Sequence, residues 1–260
     1  SSYRFELRDP SLVVGLRRIA GAESAAILTL LTEAAGPESG PGPAVVLGIR
    51  KRGKKIRALL RLLSAGTPKA QGAENALLRD LARGLAGQRE AAARLATFDQ
   101  IAQAGADPAL LVLRAHLAAE VAAMPDEAQV DACALRSNFA GLALRIEDWD
   151  LRGPERRVLA EGLTETRTRA RTAMRTARDA RSDEALHDWR KRAKDLWYQT
   201  RLLTPIWPEV MKPLAVEADM LGKTLGHHHD LADLAAHLER LDDETLPAPL
   251  RDMLTNRITE

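Results

Sequence analysis

The sequence is short of several things, and each shortage removes a class of explanation. A single cysteine, Cys133, in 260 residues excludes an intramolecular disulfide framework and suits a reducing compartment. No secretory h-region opens the chain, and the longest apolar run, around Ala25 to Leu31, is far too short to cross a bilayer. Aromatic residues make up only 3% of the chain, which leaves little material for base-stacking platforms. No stretch reads as a convincing strand. Walker-type Gly-rich loops, Gly-x-Ser-x-Gly and His-Glu-x-x-His are absent, and Cys133 has no basic helper near it in sequence. Glu6 stands alone where a metal-assisted triphosphate hydrolase would need several alternating carboxylates. A large charge excess is missing too: the formal net charge is +2, so any anion site must be a local concentration of cations. The chain opens Ser-Ser rather than Met, which points to a trimmed start. A cytoplasmic protein with no cofactor, no bound metal, no catalytic residues and no membrane partner is the expectation.

What the chain has in quantity is alanine, leucine, arginine and glutamate, the composition of an all-α protein. Its organising stretch is Leu47 to Leu63, whose Arg50, Lys51, Arg52, Lys54, Lys55, Arg57 and Arg61 return as Arg190, Lys191, Arg192, Lys194 and Arg201. Arg50 and Arg190, Lys54 and Lys194, Arg61 and Arg201 are each 140 positions apart, and so are the apolar pairs Ile56/Leu196 and Leu63/Leu203. Leu81, Arg83, Leu85 and Glu90 fall on Leu221, Lys223, Leu225 and Asp230 at the same spacing. The pattern predicts two copies of one helical unit, about 11–150 and 151–258, as duplicated half-domains each with its own small core.

At about 100° per residue, Ile49, Ile56, Leu59, Leu60 and Leu63 share one arc while Arg50, Lys54, Arg57 and Arg61 share the next. Trp189, Leu196 and Leu203 repeat the packing arc in the second copy, with Arg190, Lys194 and Arg201 on the cationic one and His187 beside them. Like charges at i,i+4 weaken a helix by a few tenths of a kcal/mol per pair. A solvated face laced by acidic neighbours explains one such run; a run that recurs in register is better explained by an anionic partner.

Helices are expected from Ser11, as cap, to about Ala35, over the basic stretch to about Gly66, from near Glu74 with Leu77, Leu81, Leu85 and Ala92 buried and Arg79, Arg83 and Arg94 facing away, from Asp107-Pro108 to Pro125, and from Glu127 to Trp149. Gly153-Pro154 marks the seam. Then come Glu155 to about Ala180, the most arginine-rich segment, the second basic helix capped by Ser182 or Asp183, two helices at Glu209–Leu225 and His229–Leu241, and a terminal helix. In the arginine-rich segment Arg167, Arg171, Arg175 and Arg178 share one face.

His227, His228, His229 and Asp230 form the sharpest local cluster, and His229, Asp233 and His237 are spaced i, i+4, i+8. Metal ligation, a plain surface cluster and an anion contact are all open to it. Arg89, the first-copy counterpart of His229, fits the anion contact better than a ligand set. His187, among four cations, should be neutral until a phosphate arrives and then bind more strongly as pH falls. Glu90 and Asp230 are placed to orient Arg83 and Lys223 through ion pairs, or to serve as plain interhelical bridges.

His187-Asp188-Trp189-Arg190-Lys191, followed downstream by Leu225-Gly226-His227-His228-His229-Asp230, resembles the CHAD family, the conserved histidine α-helical domain, and the resemblance covers the chain from about Tyr3 to its last helices. It implies one all-α domain of two four-helix bundles related by a pseudo-twofold axis. It also implies a basic surface and central pore that bind inorganic polyphosphate, association with polyphosphate-handling proteins and localisation on polyphosphate granules. Carried over by position, the binding residues are Arg50, Lys51, Lys54, Arg57, Arg61 and Arg83 with Arg89 in the first copy, and His187, Arg190, Lys191, Lys194, Arg201 and Lys223 with His229 in the second. Leu47 and Gly48 stand opposite His187 and Asp188, so a symmetric histidine pair is missing. The rival expectations are a nucleic-acid backbone binder, weakened by the lack of aromatics, a metal-dependent phosphohydrolase using His227 to His237, and a scaffold for acidic proteins.

Overall fold

A computed structural model describes residues 3–33, 42–85, 87–102, 108–123 and 131–259. Among them the chain is all-α, with ten helices: α1 (Leu12–Glu33), α2 (Pro43–Leu62), α3 (Pro68–Gly84), α4 (Gly87–Ala102), α5 (Pro108–Ala123), α6 (Ala132–Glu147), α7 (Glu155–Ala180), α8 (Asp183–Leu203), α9 (Pro208–Leu238) and α10 (Ala248–Thr259). No helix among the described residues is long and apolar enough to cross a membrane.

The helix starts keep the sequence offset. α2 and α8, α3 and α9, α5 and α10 begin at 43 and 183, 68 and 208, 108 and 248. Proline opens α2, α3, α5 and α9, a position where its missing N–H costs nothing. Ser11 caps α1, its Oγ accepting from Val14 N–H at 3.3 Å. Ser182 caps α8 by accepting from Ala185 N–H at 3.3 Å. Between α7 and α8 the chain reverses on Arg181 alone in the left-handed region (φ 48°), making a tight helical hairpin.

Three boundaries differ from expectation. The third helix starts at Pro68 rather than near Glu74, because proline is a starter at the first helical position. It stops at Gly84, and the segment expected to continue past Arg89 is a separate helix, so among the described residues six helices precede the seam. The two helices expected around the histidines are one, α9, since nothing between Glu209 and Leu238 breaks it, Pro213 near its start included. Residues 124–130, expected to end one helix and begin another, lie outside the described residues.

The chain forms two compact units, 1–85 with 127–223 and 86–126 with 224–260, and each draws on both repeats. Their cores do the same. In the first unit Leu16, Ile19 and Ile27 of α1, Ile56, Leu59, Leu60 and Leu63 around α2, Phe139 and Leu142 of α6, and Tyr198 and Leu202 of α8 form one cluster. Phe98, Leu110, Leu113 and Leu117 meet Leu234, Leu238 and Leu254 in the second unit. A separate small core for each repeat is therefore not what is found: each cluster is built from residues on both sides of the Gly153-Pro154 seam.

Cross-repeat bonds fix the first unit. Glu155 Oε1 accepts from the free Leu12 N–H at the start of α1 at 2.8 Å, and Phe5 N–H donates to Leu202 O at 3.0 Å. Tyr3 and Phe5, ahead of α1, are buried in the core, with the Tyr3 hydroxyl donating to Lys55 O at 2.9 Å.

Candidate anion-binding site

Helix α2 is cationic over most of its length, and the fold sorts its cations by direction. Arg52 and Lys55 turn to α1 and grip the buried carboxylate of Glu23 at 2.9 and 2.6 Å. Arg50 reaches the C-terminal end of α3, donating from Nη1 to Ala82 O and, at 2.8 Å, to Leu85 O. It thereby satisfies carbonyls that a helix end leaves open. Arg50 is thus part of the α2–α3 joint. Lys51 and Lys54 are exposed.

Arg57 and Arg61 lie deeper. Arg57 Nε donates to Asn75 Oδ1 at 2.9 Å, and Arg61 bridges the repeats through Nη2 to Asp195 Oδ1 of α8 at 2.6 Å. Burial, with Arg61, Arg79 and Arg83 adding like charge, pushes the Arg57 guanidinium down to about 10 against the help of Asp195. It remains a cation at neutral pH, but one surrounded by more positive than negative charge, an arrangement that an anion would relieve. Arg79 faces away as expected, exposed and paired with Asp80 at 3.0 Å, and still adds like charge at Arg57.

Helix α8 carries the second set. Arg190 is half-buried, its Nε has no acceptor, and no carboxylate pairs with it among the described residues. Lys191 is exposed, and His187 is half-buried on the same helix. Lys194 Nζ lies 3.3 Å from Asp219 and 4.6 Å from the centre of the Trp197 ring, whose centre is also 4.9 Å from the Arg201 guanidinium carbon. Lys223 completes the group at 2.8 Å from Asp219, whose carboxyl is held below the usual range chiefly by the Lys223 and Lys194 bonds. Arg61 and Arg201, equivalent at the 140-residue spacing, both oppose the upward push of burial on the Tyr3 hydroxyl. Cations of both repeats thus bear on one region of the first unit.

The expected orienting carboxylates are replaced. Arg83 pairs with Asp80 at 3.3 Å rather than with Glu90, and Lys223 with Asp219 rather than Asp230, because carboxylates three and four residues away on the same helix are nearer. Asp195 and Asp219, not singled out in the sequence, are the resident counter-ions. No signal at the 140-residue offset could have found them: Asp195 stands opposite Lys55, and Asp219 opposite Arg79.

His229 belongs to the second unit, and the Arg89 side chain lies outside the described residues. Here the histidine cluster is already engaged. Asp233 pairs with Arg94 at 3.3 Å, so Arg94 is a nearly buried ion-pair partner and does not face away as expected. His237 Nε2 lies 3.0 Å from Glu120, and among the described residues no three His, Cys, Asp or Glu side chains converge as a metal needs. Burial lowers the His237 pKa from its ordinary value, and Arg94 and Arg240 add to this against Glu120 and Asp233. A base with a lowered folded pKa contributes stability that is fully present above the unfolded value, about 6.5, and is lost as pH falls through the folded value. Thermal melts between pH 7.5 and 5 are therefore expected to drop toward acid by more in the parent than in His237→Gln, and equal slopes would refute the assignment.

The CHAD domain family model matches residues 25–239. The chain belongs to the CHAD family. No curated protein matches the chain. Within the CHAD domain so defined lie α2 and α8 with their cations, and the matched span also takes in the greater part of both compact units.

Proposed function

We propose that this CHAD protein is a non-catalytic binding module for inorganic polyphosphate, with α2, α3, α8 and the middle of α9 as its phosphate-binding elements. The observation that carries the reading is the excess of half-buried cations over counter-ions on two recurring helices: Arg57 depressed first by burial and then by neighbouring guanidiniums, and Arg190 with no carboxylate partner among the described residues. A linear polyanion without bases rewards a track of Lys and Arg and needs no stacking surface, and guanidinium forks match phosphate oxygens. Trp197, which lies among these cations, is clamped by Lys194 and Arg201. That favours polyphosphate over a single-stranded nucleic acid, which needs ring faces free. A pore lined by both repeats, association with other polyphosphate-handling proteins and residence on cytoplasmic granules follow from the same reading.

The test is a salt-titrated comparison of long-chain polyphosphate with single-stranded DNA of matched charge, on the parent chain and on Arg190→Ala/Lys194→Ala. Polyphosphate binding that outlasts DNA binding as salt rises and falls about tenfold or more in the double variant is expected. Equal affinity for both polymers would reduce the site to a general polyanion surface. Bound metal with phosphatase activity in the purified protein would instead favour the hydrolase reading.

A further inference from the structure

The arginines of α7 are not used by the site above. Arg156, Arg157, Arg167, Arg171, Arg175 and Arg178 fall within an arc of roughly 100° on this helix, taking about 100° per residue. All six are exposed, and no acidic residue shares the arc. The buried stripe, Val158, Gly162, Thr166, Ala173 and Ala177, lies on the other side. Three acidic residues flank the row: Glu161 pairs with Arg157 at 2.7 Å, Glu165 with Arg169 at 2.5 Å and Asp179 with Arg178 at 3.0 Å. Arg167, Arg171 and Arg175 have no ion pair among the described residues.

Those three recur at i, i+4, i+8, about 6 Å apart along the axis, each repelling the next. Favourable interaction with the helix dipole accounts for Arg178 in the last turn, but not for Arg167 and Arg171 in the middle. We infer that the outer face of α7 is a second polyphosphate-binding track, separate from the α2/α8 site and engaged only by long chains; the inference rests on the function proposed above.

The shape of the charge selects the ligand. A single straight row fits a single-stranded linear polyanion. Thr164 lies in the row and Thr168 at its edge, adding hydroxyl donors that suit phosphate oxygens. The row has no aromatic residue for stacking bases, and its one apolar member of any size, Met174, is too little for a helix to embed in a lipid surface.

The experiment compares the full chain with Arg167→Gln/Arg171→Gln/Arg175→Gln and with the corresponding triple lysine variant. Both keep good helix formers, and circular dichroism should match the parent. Long-chain polyphosphate affinity at about 0.1 M salt is expected to fall roughly tenfold or more in the glutamine variant, with a slope of log K against log salt shallower by about 2. The lysine variant should keep most of both, and tripolyphosphate, too short to need the track, should bind all three alike. Unchanged long-chain affinity and slope in the glutamine variant, while Arg190→Ala/Lys194→Ala loses binding, would overturn the track and leave the proposed function standing. Loss in the glutamine variant with no effect of Arg190→Ala/Lys194→Ala would support the track and remove the α2/α8 site. A parallel loss of tripolyphosphate, or a loss seen only with phosphatidylserine vesicles, would also overturn it. No binding by the parent chain would overturn both.

Discussion

Gly162→Ala is expected to lower the melting temperature by about 10 °C, corresponding to about 3 kcal/mol or more. Gly162 lies where α7 crosses α2, and a Cβ built on it would sit 1.8 Å from Leu62 O and 2.6 Å from Leu62 C. Neither atom can swing aside, since both belong to the backbone of α2 at its last helical residue. The only relief is to move α7 outward, which opens the packing of Val158 and Leu163 against the first unit's core. Total stabilities of domains are about 5–15 kcal/mol, so a loss of this size removes a large fraction. Gly72→Ala is the control: Gly72 is helical and exposed with nothing within 4 Å of its Cβ position, so alanine there should stabilise by up to about 1 kcal/mol. Equal melting of the Gly162→Ala and Gly72→Ala proteins would refute the close crossing.

Glu23→Ala should cost about 3 kcal/mol. Glu23 is 3% exposed in the middle of α1 and is the carboxylate to which Arg52 and Lys55 both turn. Lys55, its side chain only 14% exposed, also lies 5.0 Å from the centre of the Tyr3 ring, so it cannot reach water without leaving that contact. Removing the carboxylate strands a cation between α1 and α2, and this penalty exceeds the worth of the pair itself. A double-mutant cycle isolates it: Glu23→Ala/Lys55→Met should recover much of the loss by replacing the stranded ammonium with an apolar chain of similar length. Urea unfolding with unchanged m-values would measure both steps, and a double variant no more stable than Glu23→Ala would refute the explanation.

Glu23 also marks the limit of sequence reading. The i, i+4 arithmetic that put Arg50, Lys54, Arg57 and Arg61 on one face separated them from Arg52 and Lys55, which do turn the other way. It could not tell that Arg50 would be taken up by α3 carbonyls while Arg57 turned to Asn75 and Arg61 to Asp195, because all four look alike at helical spacing. Direction on a helix is a local property; the identity of the partner waiting there belongs to another helix.

By itself the sequence determined that this protein is helical, that a pattern of residues recurs at a spacing of 140 and that α2 and α8 carry matching basic runs. Composition, proline placement and periodicity act within a few turns of chain, and the recurrence is read from matching residues. Only the tertiary structure decided that the cores draw on both halves of the chain, that Asp195 and Asp219 are the counter-ions, and that Asp233 pairs with Arg94 while His237 lies beside Glu120. Each of these depends on which apolar faces exclude water together. That closure brings charges 25 to 139 positions apart into contact, a distance over which sequence spacing carries no angular information.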